Sequence, residues 1–296
     1  MLTVALLCAL LARPEVPVEL PLWPEGVPEA PADLVLPLEP EVGDEADRRV
    51  RGLYAPTISV WPAAATEAST PAIVICPGGG YGLLAIGKEG HELARWFAER
   101  GVTGVVLKYR LPRVEQHVWG HEAPLADARR ALELVRERAG EWNIDPARVG
   151  ILGCSAGGHL AASASTLLGE ERPAFSVLLY PVVSMSAPHS HGGSRARLLG
   201  PAAEDAALRE RFSPELQVDA QAPPAFVVHS FDDRVVDAAN AIDYVRALHL
   251  AGVAAELHLY EQGGHGYGMR HAELPVRAWP NALERWLRAR GLSAAD

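Results

Sequence analysis

Residues 151–159 read ILGCSAGGH, and this stretch decides the fold. An apolar, strand-like run leads directly into Ser155, glycines flank that serine, and an alanine-rich helical pattern follows. Glycine weakens strands and helices, so glycines at such a junction indicate a sharp turn or a close approach of two backbone segments. The pattern G-x-S-x-G is weak alone, but between a strand and a helix it lifts a serine hydroxyl to the edge of a sheet. We therefore predict that Ser155 is a nucleophile.

Short apolar runs alternate with amphipathic stretches along most of the chain. The predicted strands cover residues 72–77, 101–109, 148–154, 175–181, 225–230 and 254–261, and the predicted helices cover residues 90–101, 124–142, 155–168, 235–252 and 272–291. This alternation predicts an α/β fold with a mainly parallel central sheet and helices on both of its faces. Residues 184–221 interrupt the pattern, and we predict that they form a small insert that shapes the substrate site.

The chain is predicted to hold one folded domain, at residues 49–296, after two N-terminal segments. Residues 1–12 are apolar and have the length of a signal-peptide core, although no Lys or Arg precedes them. We expect this segment to direct export to the periplasm or the exterior, with a cytoplasmic protein as the alternative. Residues 13–48 are rich in Pro, Glu and Ala, and are predicted to be an extended arm.

The composition narrows the class of partner. The formal net charge of −10 argues against nucleic acid and anionic membrane surfaces, because both favour a basic face. We therefore expect neither nucleic acid nor a membrane as a partner. Cys76 and Cys154 each end a predicted apolar strand, where we expect buried, free thiols.

A nucleophilic serine needs a base, and the base needs a carboxylate that orients it. In an α/β sheet of this kind the acid and then the histidine follow the serine, each on a loop after a later strand. His265 lies in the glycine-rich stretch QGGHGYG after the last predicted strand, so we predict that it is the base. Asp232 and Asp233 both follow the strand at 225–230; we choose Asp233 as the acid and expect Asp232 to cap a turn or helix.

Three glycines follow an early strand in AIVICPGGGYG, at residues 78–80. Glycine lets backbone N–H groups approach a substrate closely, so we predict that Gly79, Gly80 and the amide of Ala156 form an oxyanion hole. A phosphate-binding loop is the alternative, but the Lys and Ser/Thr of a P-loop are missing. Tyr81 follows these glycines and is a candidate for the floor of the substrate pocket.

This chemistry requires neither a metal nor an organic cofactor, and we predict none. Two histidine pairs, His117 with His121 and His189 with His191, lie in stretches that favour loops over a zinc site. Asp127, in PLADARRA, is expected to anchor a helix and not to perform chemistry.

Together these segments resemble the α/β-hydrolase superfamily. More narrowly, they resemble bacterial acetyl esterases and acetylxylan esterases related to the hormone-sensitive-lipase group. The similar stretches cover nearly the whole chain after the leader and include PGGGYGLLAIGKEGHELARWFAERGV, LKYRLP, GCSAGGHLAAS and PPAFVVHSFDDRVV. Two residues depart from the family pattern: Cys154 stands where a bulky residue is usual, and Pro77 stands where the lipase loop has His.

The resemblance implies the hydrolysis of short acyl esters, often acetyl groups on plant polysaccharides, by exported enzymes. The positions that match the family's catalytic triad are Ser155, Asp233 and His265, and those that match its oxyanion hole are Gly79, Gly80 and Ala156. Two alternatives stay open. An amidase or peptidase of the formamidase or prolyl-oligopeptidase type would use the same triad, and a catalytically inactive carbohydrate-binding or scaffold protein would keep the fold alone.

Overall fold

The structure is a computed structural model that describes residues 17–30, 43–44, 47–52, 54–64, 68–112, 119–271 and 273–293. The segment expected to direct export, residues 1–12, lies outside the described residues, and so does His117. Of the predicted arm, residues 17–30, 43–44 and 47–48 are described.

The described residues form eight strands in one sheet. The strands are β1 (Val18–Pro21), β2 (Thr57–Trp61), β3 (Thr70–Cys76), β4 (Thr103–Lys108), β5 (Ile144–Cys154), β6 (Ser176–Leu179), β7 (Ala225–Ser230) and β8 (Ala255–Tyr260). Their order is β1-β2-β4-β3-β5-β6-β7-β8. The pairs β1–β2 and β2–β4 are antiparallel and all the other pairs are parallel, which confirms the predicted mainly parallel sheet.

Helices connect the parallel strands. They are α1 (Glu92–Ala98), α2 (Ala123–Glu137), α3 (Ala156–Leu167), α4 (Gly192–Leu199), α5 (Ala206–Arg211), α6 (Pro214–Gln217), α7 (Ala239–Leu250) and α8 (Trp279–Arg288). A π-helical turn at Gly87–His91 leads into α1. Helices α4, α5 and α6 lie in the predicted insert, between β6 and β7. In the part of the chain that the structure describes, no helix combines the length and apolar character needed to cross a bilayer.

The central strands are buried on both faces. Every residue of β3, β4, β6 and β7 is buried, and valine, isoleucine and leucine fill much of these strands. Such continuous apolar strands need a layer of helices on each side of the sheet. Cys76 and Cys154 end β3 and β5 as buried free thiols, as the sequence predicts.

Two helices begin later than predicted. The helix predicted from residue 235 begins at Ala239, because the backbone before it forms the loop that holds Asp233. The helix predicted over residues 272–291 begins at Trp279, after a 3₁₀ turn at Pro275–Ala278. Proline lacks the N–H of a helix interior and disfavours helical backbone in the residue before it, and Leu274 is extended accordingly.

The N-terminal arm contributes a strand that the sequence does not predict. β1 pairs with β2, with Val18 opposite Val60 and Pro21 opposite Thr57. The strand is mostly exposed and only four residues long, so its apolar pattern is too short to detect in the sequence. It adds an antiparallel edge to the sheet, at the end far from β8.

A buried ion pair joins this arm to the domain. The Asp127 carboxylate on α2 accepts hydrogen bonds from the Arg110 backbone N–H at 2.7 Å, from Arg110 Nε at 2.9 Å and from Trp23 Nε1 at 2.8 Å. Arg110 Nη1 also donates to the Pro28 carbonyl at 2.9 Å. Asp127 thus ties together α2, the chain after β4 and the arm, in the anchoring role expected of it.

Replacing Asp127 tests this anchor. We expect Asp127→Ala to lower the free energy of unfolding by about 3–5 kcal/mol, because the buried Arg110 charge loses its partner. Urea denaturation measures the change. Glu133→Ala is the matched control on α2, since the Glu133 carboxylate is a third exposed and lies 3.4 Å from Arg130. The control should stay within about 0.5 kcal/mol of the wild type. Equal losses for the two variants would contradict the anchoring role.

Candidate active site

The loops that carry the predicted site residues lie at one edge of the sheet. They follow β3, β5, β7 and β8, which run parallel, so their carboxyl ends point the same way. β3 and β5 are neighbours, and the chain leaves β3 for β4 on the opposite side. In α/β sheets, ligands bind in the crevice that forms where the strand order reverses in this way.

Ser155 forms the turn between β5 and α3. Its φ and ψ angles are 54° and −119°, which are rare for a residue with a side chain. Its backbone holds this strained conformation through two hydrogen bonds: the N–H donates to the Leu179 carbonyl at 3.0 Å, and the carbonyl accepts from Val182 N–H at 2.9 Å. The end of β6 and the residues after it therefore fix the turn that presents the hydroxyl.

Gly157 permits the close contact on which this turn relies. A Cβ atom at this position would overlap the carbonyl oxygens of Cys76 and Pro77 at the end of β3. Gly157 is needed for space and not for a positive φ; the positive φ falls on Ser155 itself. The first turn of α3 can therefore pack directly against the loop that follows β3.

His265 connects Ser155 and Asp233. The distance between His265 Nε2 and Ser155 Oγ is 2.9 Å, and that between His265 Nδ1 and Asp233 Oδ2 is 2.6 Å. An ionised carboxylate only accepts hydrogen bonds, so Nδ1 carries the proton and Nε2 is the acceptor for the serine hydroxyl. The structure thus brings the three predicted residues into one hydrogen-bonded chain, with the tautomer that a general base requires.

Asp233 is held ionised by its hydrogen bonds. Burial alone would raise the pKa of this carboxyl, but the hydrogen bonds from His229, His265 and the Val236 amide outweigh burial and hold the pKa well below its usual range. Oδ1 accepts from the amides of Val235 and Val236 at 2.8 and 2.9 Å. His229 Nε2 lies 3.2 Å from Oδ2. Asp233 is therefore an oriented acceptor for His265.

Asp232 has a different position. Its Oδ1 accepts hydrogen bonds from the amides of Gly263 and Gly264, at 2.9 and 2.8 Å. These two glycines immediately precede His265, so Asp232 holds the loop that carries the histidine. The capping role expected from the sequence is correct in kind, although the cap acts on a distant loop and not on the next helix.

The glycine loop after β3 presents free backbone donors. Gly79 has a φ of +137°, where a side chain would also overlap the Leu83 carbonyl, and Gly80 has a φ of +62°. No described residue accepts a hydrogen bond from the amides of Gly79, Gly80 or Ala156. The amide of Ala156 is at the first position of α3, where helix N–H groups lack internal partners. These donors are available to a ligand.

A pocket of about 330 Å³ opens over these groups. Ser155, His265, Gly79 and Gly80 all line it. Its remaining lining residues come from the start of the domain, the chain after β3, the chain after Asp233, the His265 loop and the insert, and they are Arg49, Leu83, Ala85, Lys88, Glu89, His191, Arg197, Val235 and Gly266. The predicted insert therefore reaches the site.

Tyr81 is the predicted site residue that the structure does not bring to the pocket. Its side chain is 1% exposed, and its hydroxyl lies 2.8 Å from His159 Nδ1. The prediction of a substrate-contacting tyrosine is therefore wrong. Its φ of 59° turns the backbone, and the ring packs edge-on against Tyr109 beneath the glycine loop. Tyr81 supports the loop from below.

His159 links three parts of the site. Its Nε2 lies 2.8 Å from the Phe212 carbonyl, so this nitrogen carries the proton and Nδ1 accepts from the Tyr81 hydroxyl. Burial lowers the pKa of His159 to about 4, although the hydrogen bond to Phe212 acts in the opposite direction. The neutral ring thus joins α3, the glycine loop and the insert.

Sequence reasoning missed a buried carboxylate beside the nucleophile. Glu89 Oε2 accepts from the Gly78 amide at 2.9 Å, and Oε1 accepts from the Tyr180 hydroxyl at 3.1 Å. Lys88 Nζ donates to the Gly266 carbonyl at 3.0 Å. The sequence signal for this carboxylate is a Lys-Glu pair among apolar and glycine residues in LLAIGKEGH, where a charged pair is unexpected.

Among the described residues, no cluster of His, Cys, Asp and Glu side chains could hold a metal ion.

The comparison with protein families identifies the class. A family model described as the alpha/beta hydrolase fold matches residues 73–269. The chain therefore belongs to the α/β-hydrolase family, as the resemblance in the sequence implies.

Three relatives are informative. The chain is 39% identical over 201 residues to an acetylxylan esterase of Xylanibacter ruminicola, a match that covers 67% of this chain and 41% of that protein. It is 30% identical over 233 residues to endo-1,4-beta-xylanase B of Butyrivibrio fibrisolvens, covering 74% of this chain and 36% of that one. The chain thus spans less than half the length of these two curated relatives. The crystal structure of an acetyl ester-xyloside bifunctional hydrolase from Caldicellulosiruptor lactoaceticus superposes with a TM-score of 0.78 at 31% identity, covering 95% of this chain and 100% of the other.

The buried His159 predicts an acid-sensitive stability. The folded protein keeps this ring neutral down to about pH 4, whereas the unfolded chain takes up the proton near its ordinary pKa of 6.5. Acidification through this window therefore favours unfolding. At about 1.4 kcal/mol for a pKa difference of one, the loss reaches up to about 3 kcal/mol.

Denaturation by urea between pH 4 and pH 7 measures this loss. We expect His159→Gln to flatten the pH dependence, because the Gln amide can donate to the Phe212 carbonyl without titrating. His249→Gln, at an exposed position on α7, is the control and should keep the wild-type slope. Parallel curves for the wild type and His159→Gln would show that His159 does not carry the effect.

Proposed function

We propose that this protein is a serine esterase that hydrolyses short acyl esters, chiefly acetyl groups on carbohydrate such as xylan. The observation that carries the proposal is the hydrogen-bonded chain from Ser155 through His265 to Asp233, with distances of 2.9 and 2.6 Å, at a pocket lined by the glycine loop. In the proposed assignment these three residues are the catalytic triad, and Gly79, Gly80 and Ala156 form the oxyanion hole.

The first half of the reaction forms an acyl-enzyme. His265 Nε2 takes the proton of Ser155 as Oγ attacks the ester carbonyl, and the ionised Asp233 stabilises the resulting imidazolium. The free amides of the glycine loop and of Ala156 donate to the negative oxygen of the tetrahedral intermediate. A donor of this kind contributes about 3–4 kcal/mol to the transition state. The positive end of the α3 dipole adds to this field. His265 then gives its proton to the departing alcohol.

The second half repeats these steps with water. His265 removes a proton from a water molecule, which attacks the acyl carbonyl, and the same amides stabilise the second tetrahedral intermediate. Collapse of this intermediate releases the carboxylic acid and returns the proton to Ser155. No group outside the named residues has to supply a proton or a charge.

Acetylated carbohydrate is the substrate that the comparisons favour. The two curated relatives are named for acetylxylan and xylan, and the structural relative is named for an acetyl ester and a xyloside. None of these three names points to an amide bond, so the amidase alternative is not favoured. A polysaccharide substrate lies outside the cell, in agreement with the export expected from residues 1–12, which stays a prediction.

Replacing the nucleophile tests the activity. We expect Ser155→Ala to reduce kcat on p-nitrophenyl acetate and on acetylated xylan on the order of 10⁶-fold, the loss that a serine hydrolase shows without its nucleophile. Ser163→Ala is the matched control, because this serine lies on the same helix with its hydroxyl buried and unpartnered. It should retain wild-type activity. p-Nitrophenyl esters of increasing acyl length and a formamide substrate complete the series.

The series separates the possible functions. Turnover that falls steeply with acyl length supports an acetyl esterase, whereas a preference for long chains or for formamides contradicts the substrate assignment. Failure of a fluorophosphonate probe to label Ser155 would indicate the inactive, carbohydrate-binding alternative.

The adjacent carboxylates give a second test. We expect Asp233→Asn to lower kcat about 10⁴-fold, because an amide cannot hold His265 in the required tautomer. Asp232→Asn should change kcat only a few-fold, since an amide oxygen still accepts from Gly263 and Gly264. Asp232→Ala frees the loop and should lower kcat by up to about 100-fold, the effect of a misplacement near 1 Å. A larger loss for Asp232→Asn than for Asp233→Asn would reverse the assignment.

A further inference from the structure

The mouth of the pocket carries positive charge on an acidic protein. Three cationic side chains line the pocket, those of Arg49, Lys88 and Arg197, against the single carboxylate of Glu89. The chain as a whole has a formal net charge of −10. The local charge therefore has the sign opposite to that of the molecule, and it lines the pocket that contains Ser155.

Two of these charges, those of Lys88 and Glu89, lie close to each other and interact with other groups of the protein. Lys88 Nζ lies 3.0 Å from the Gly266 carbonyl and 3.9 Å from Glu89 Oε1. Glu89 is buried and accepts from Gly78 and Tyr180. This neighbouring pair leaves little net charge for a ligand.

The two arginines are not neutralised. Among the described residues, Arg197 Nη1 donates hydrogen bonds only to the carbonyls of Gly80 and Gly193, each at 3.3 Å. Arg49 makes no hydrogen bond or ion pair with any described residue. Both arginines are exposed and lie in different segments, Arg197 on α4 of the insert and Arg49 directly after the arm. Guanidinium groups pair with carboxylates through two parallel N–H donors, and a free pair at a pocket suits an anionic ligand.

His191 adds a neutral donor to the same rim. Its Nδ1 caps α4 by accepting from the Ser194 amide at 3.2 Å, so Nε2 carries the ring proton. Burial is the main cause that lowers the pKa of His191; the charge of Arg197 acts in the same direction and that of Asp233 acts against it. The insert thus supplies both a charge and a hydrogen-bond donor next to Ser155.

We propose that the esters this pocket selects carry a carboxylate on their alcohol part, as in acetylated oligosaccharides with a uronic acid substituent. This inference rests on the proposed esterase function. A polymeric alcohol cannot enter a cavity of about 330 Å³, so it must lie across the rim, where Arg49 and Arg197 are exposed. The acyl group alone enters toward Ser155.

A general field effect is the competing explanation. Arginines near the oxyanion would stabilise the transition state of every ester, whatever the charge of the alcohol. Arg197 also contacts the Gly80 carbonyl, so its loss could disturb the glycine loop. Only a ratio of rates for two substrates that differ in the carboxylate separates recognition of the substrate from these effects.

The experiment compares such a pair of substrates. Acetylated xylo-oligosaccharides that bear a uronic acid are assayed beside the same oligosaccharides with the carboxyl group reduced to an alcohol, and kcat/KM for acetate release is measured for both. The selectivity ratio, acidic over reduced, should exceed one in the wild type. It should fall as NaCl is raised, because salt screens exposed charges.

Substitutions test whether Arg49 and Arg197 are the cause of this selectivity ratio. We expect Arg49→Gln and Arg197→Gln each to lower the selectivity ratio about 2- to 5-fold, the strength of an exposed ion pair. Arg49→Lys and Arg197→Lys keep the positive charge, so these variants should retain most of the wild-type selectivity ratio. Arg195→Gln is the matched control on α4; Arg195 lies near Glu204 and does not line the pocket, so the ratio should not change.

The outcomes distinguish the two proposals. A ratio near one in the wild type, or a ratio that both Arg→Gln variants leave unchanged, overturns the carboxylate inference while the esterase function stands. Equal losses on both substrates also overturn it, in favour of a general field. Absence of Ser155-dependent hydrolysis of any ester, neutral ones included, would instead contradict the proposed function itself.

Discussion

At Gly157 the first turn of α3 packs against the carbonyl groups of Cys76 and Pro77, and the rest of the site depends on this contact. It fixes how close the nucleophile turn can lie to the loop after β3. The Ser155 backbone is strained, at a cost of order 1–3 kcal/mol, and persists only where its surroundings determine it. Packing at Gly157 on one side, and hydrogen bonds to Leu179 and Val182 on the other, supply those surroundings.

Buried polar contacts then join the other loops to this turn. The Glu89 carboxylate accepts hydrogen bonds from the Gly78 amide and the Tyr180 hydroxyl. The same hydroxyl accepts a hydrogen bond from the Gly268 amide at 3.1 Å. Lys88 holds the Gly266 carbonyl on the other side of His265. These bonds connect the glycine loop with the histidine loop. A site built this way is oriented before substrate arrives, which is the condition for effective electrostatic stabilisation.

The features that could be predicted from the sequence are those that depend on short, local patterns of residues. Apolar runs alternate with amphipathic stretches, so the parallel sheet follows from them, and the flanking glycines and strand contexts of Ser155 and His265 single these residues out. Contacts between distant segments are not encoded in this way. The position of Tyr81 after the glycines predicts a pocket residue. Its hydroxyl instead donates a hydrogen bond to His159, which lies 78 positions away in the sequence, so no local pattern reveals this contact. The partners of Glu89 and the pairing of β1 are non-local as well, whereas the late start of α8 follows from Pro275, which is a local feature of the sequence.

Because of the insert between β6 and β7, the reaction type is easier to infer from this site than the identity of the substrate. The reacting groups lie at the ends of strands, whereas His191 and Arg197 reach the pocket from α4. The insert is also tied to the core, since the Phe212 carbonyl accepts from His159 on α3. Substitutions on the exposed face of α4 can therefore change what the rim attracts and leave the strand-borne groups in place. One fold can in this way serve many esters, because the surface that selects the alcohol is separate from the one that attacks the acyl carbon.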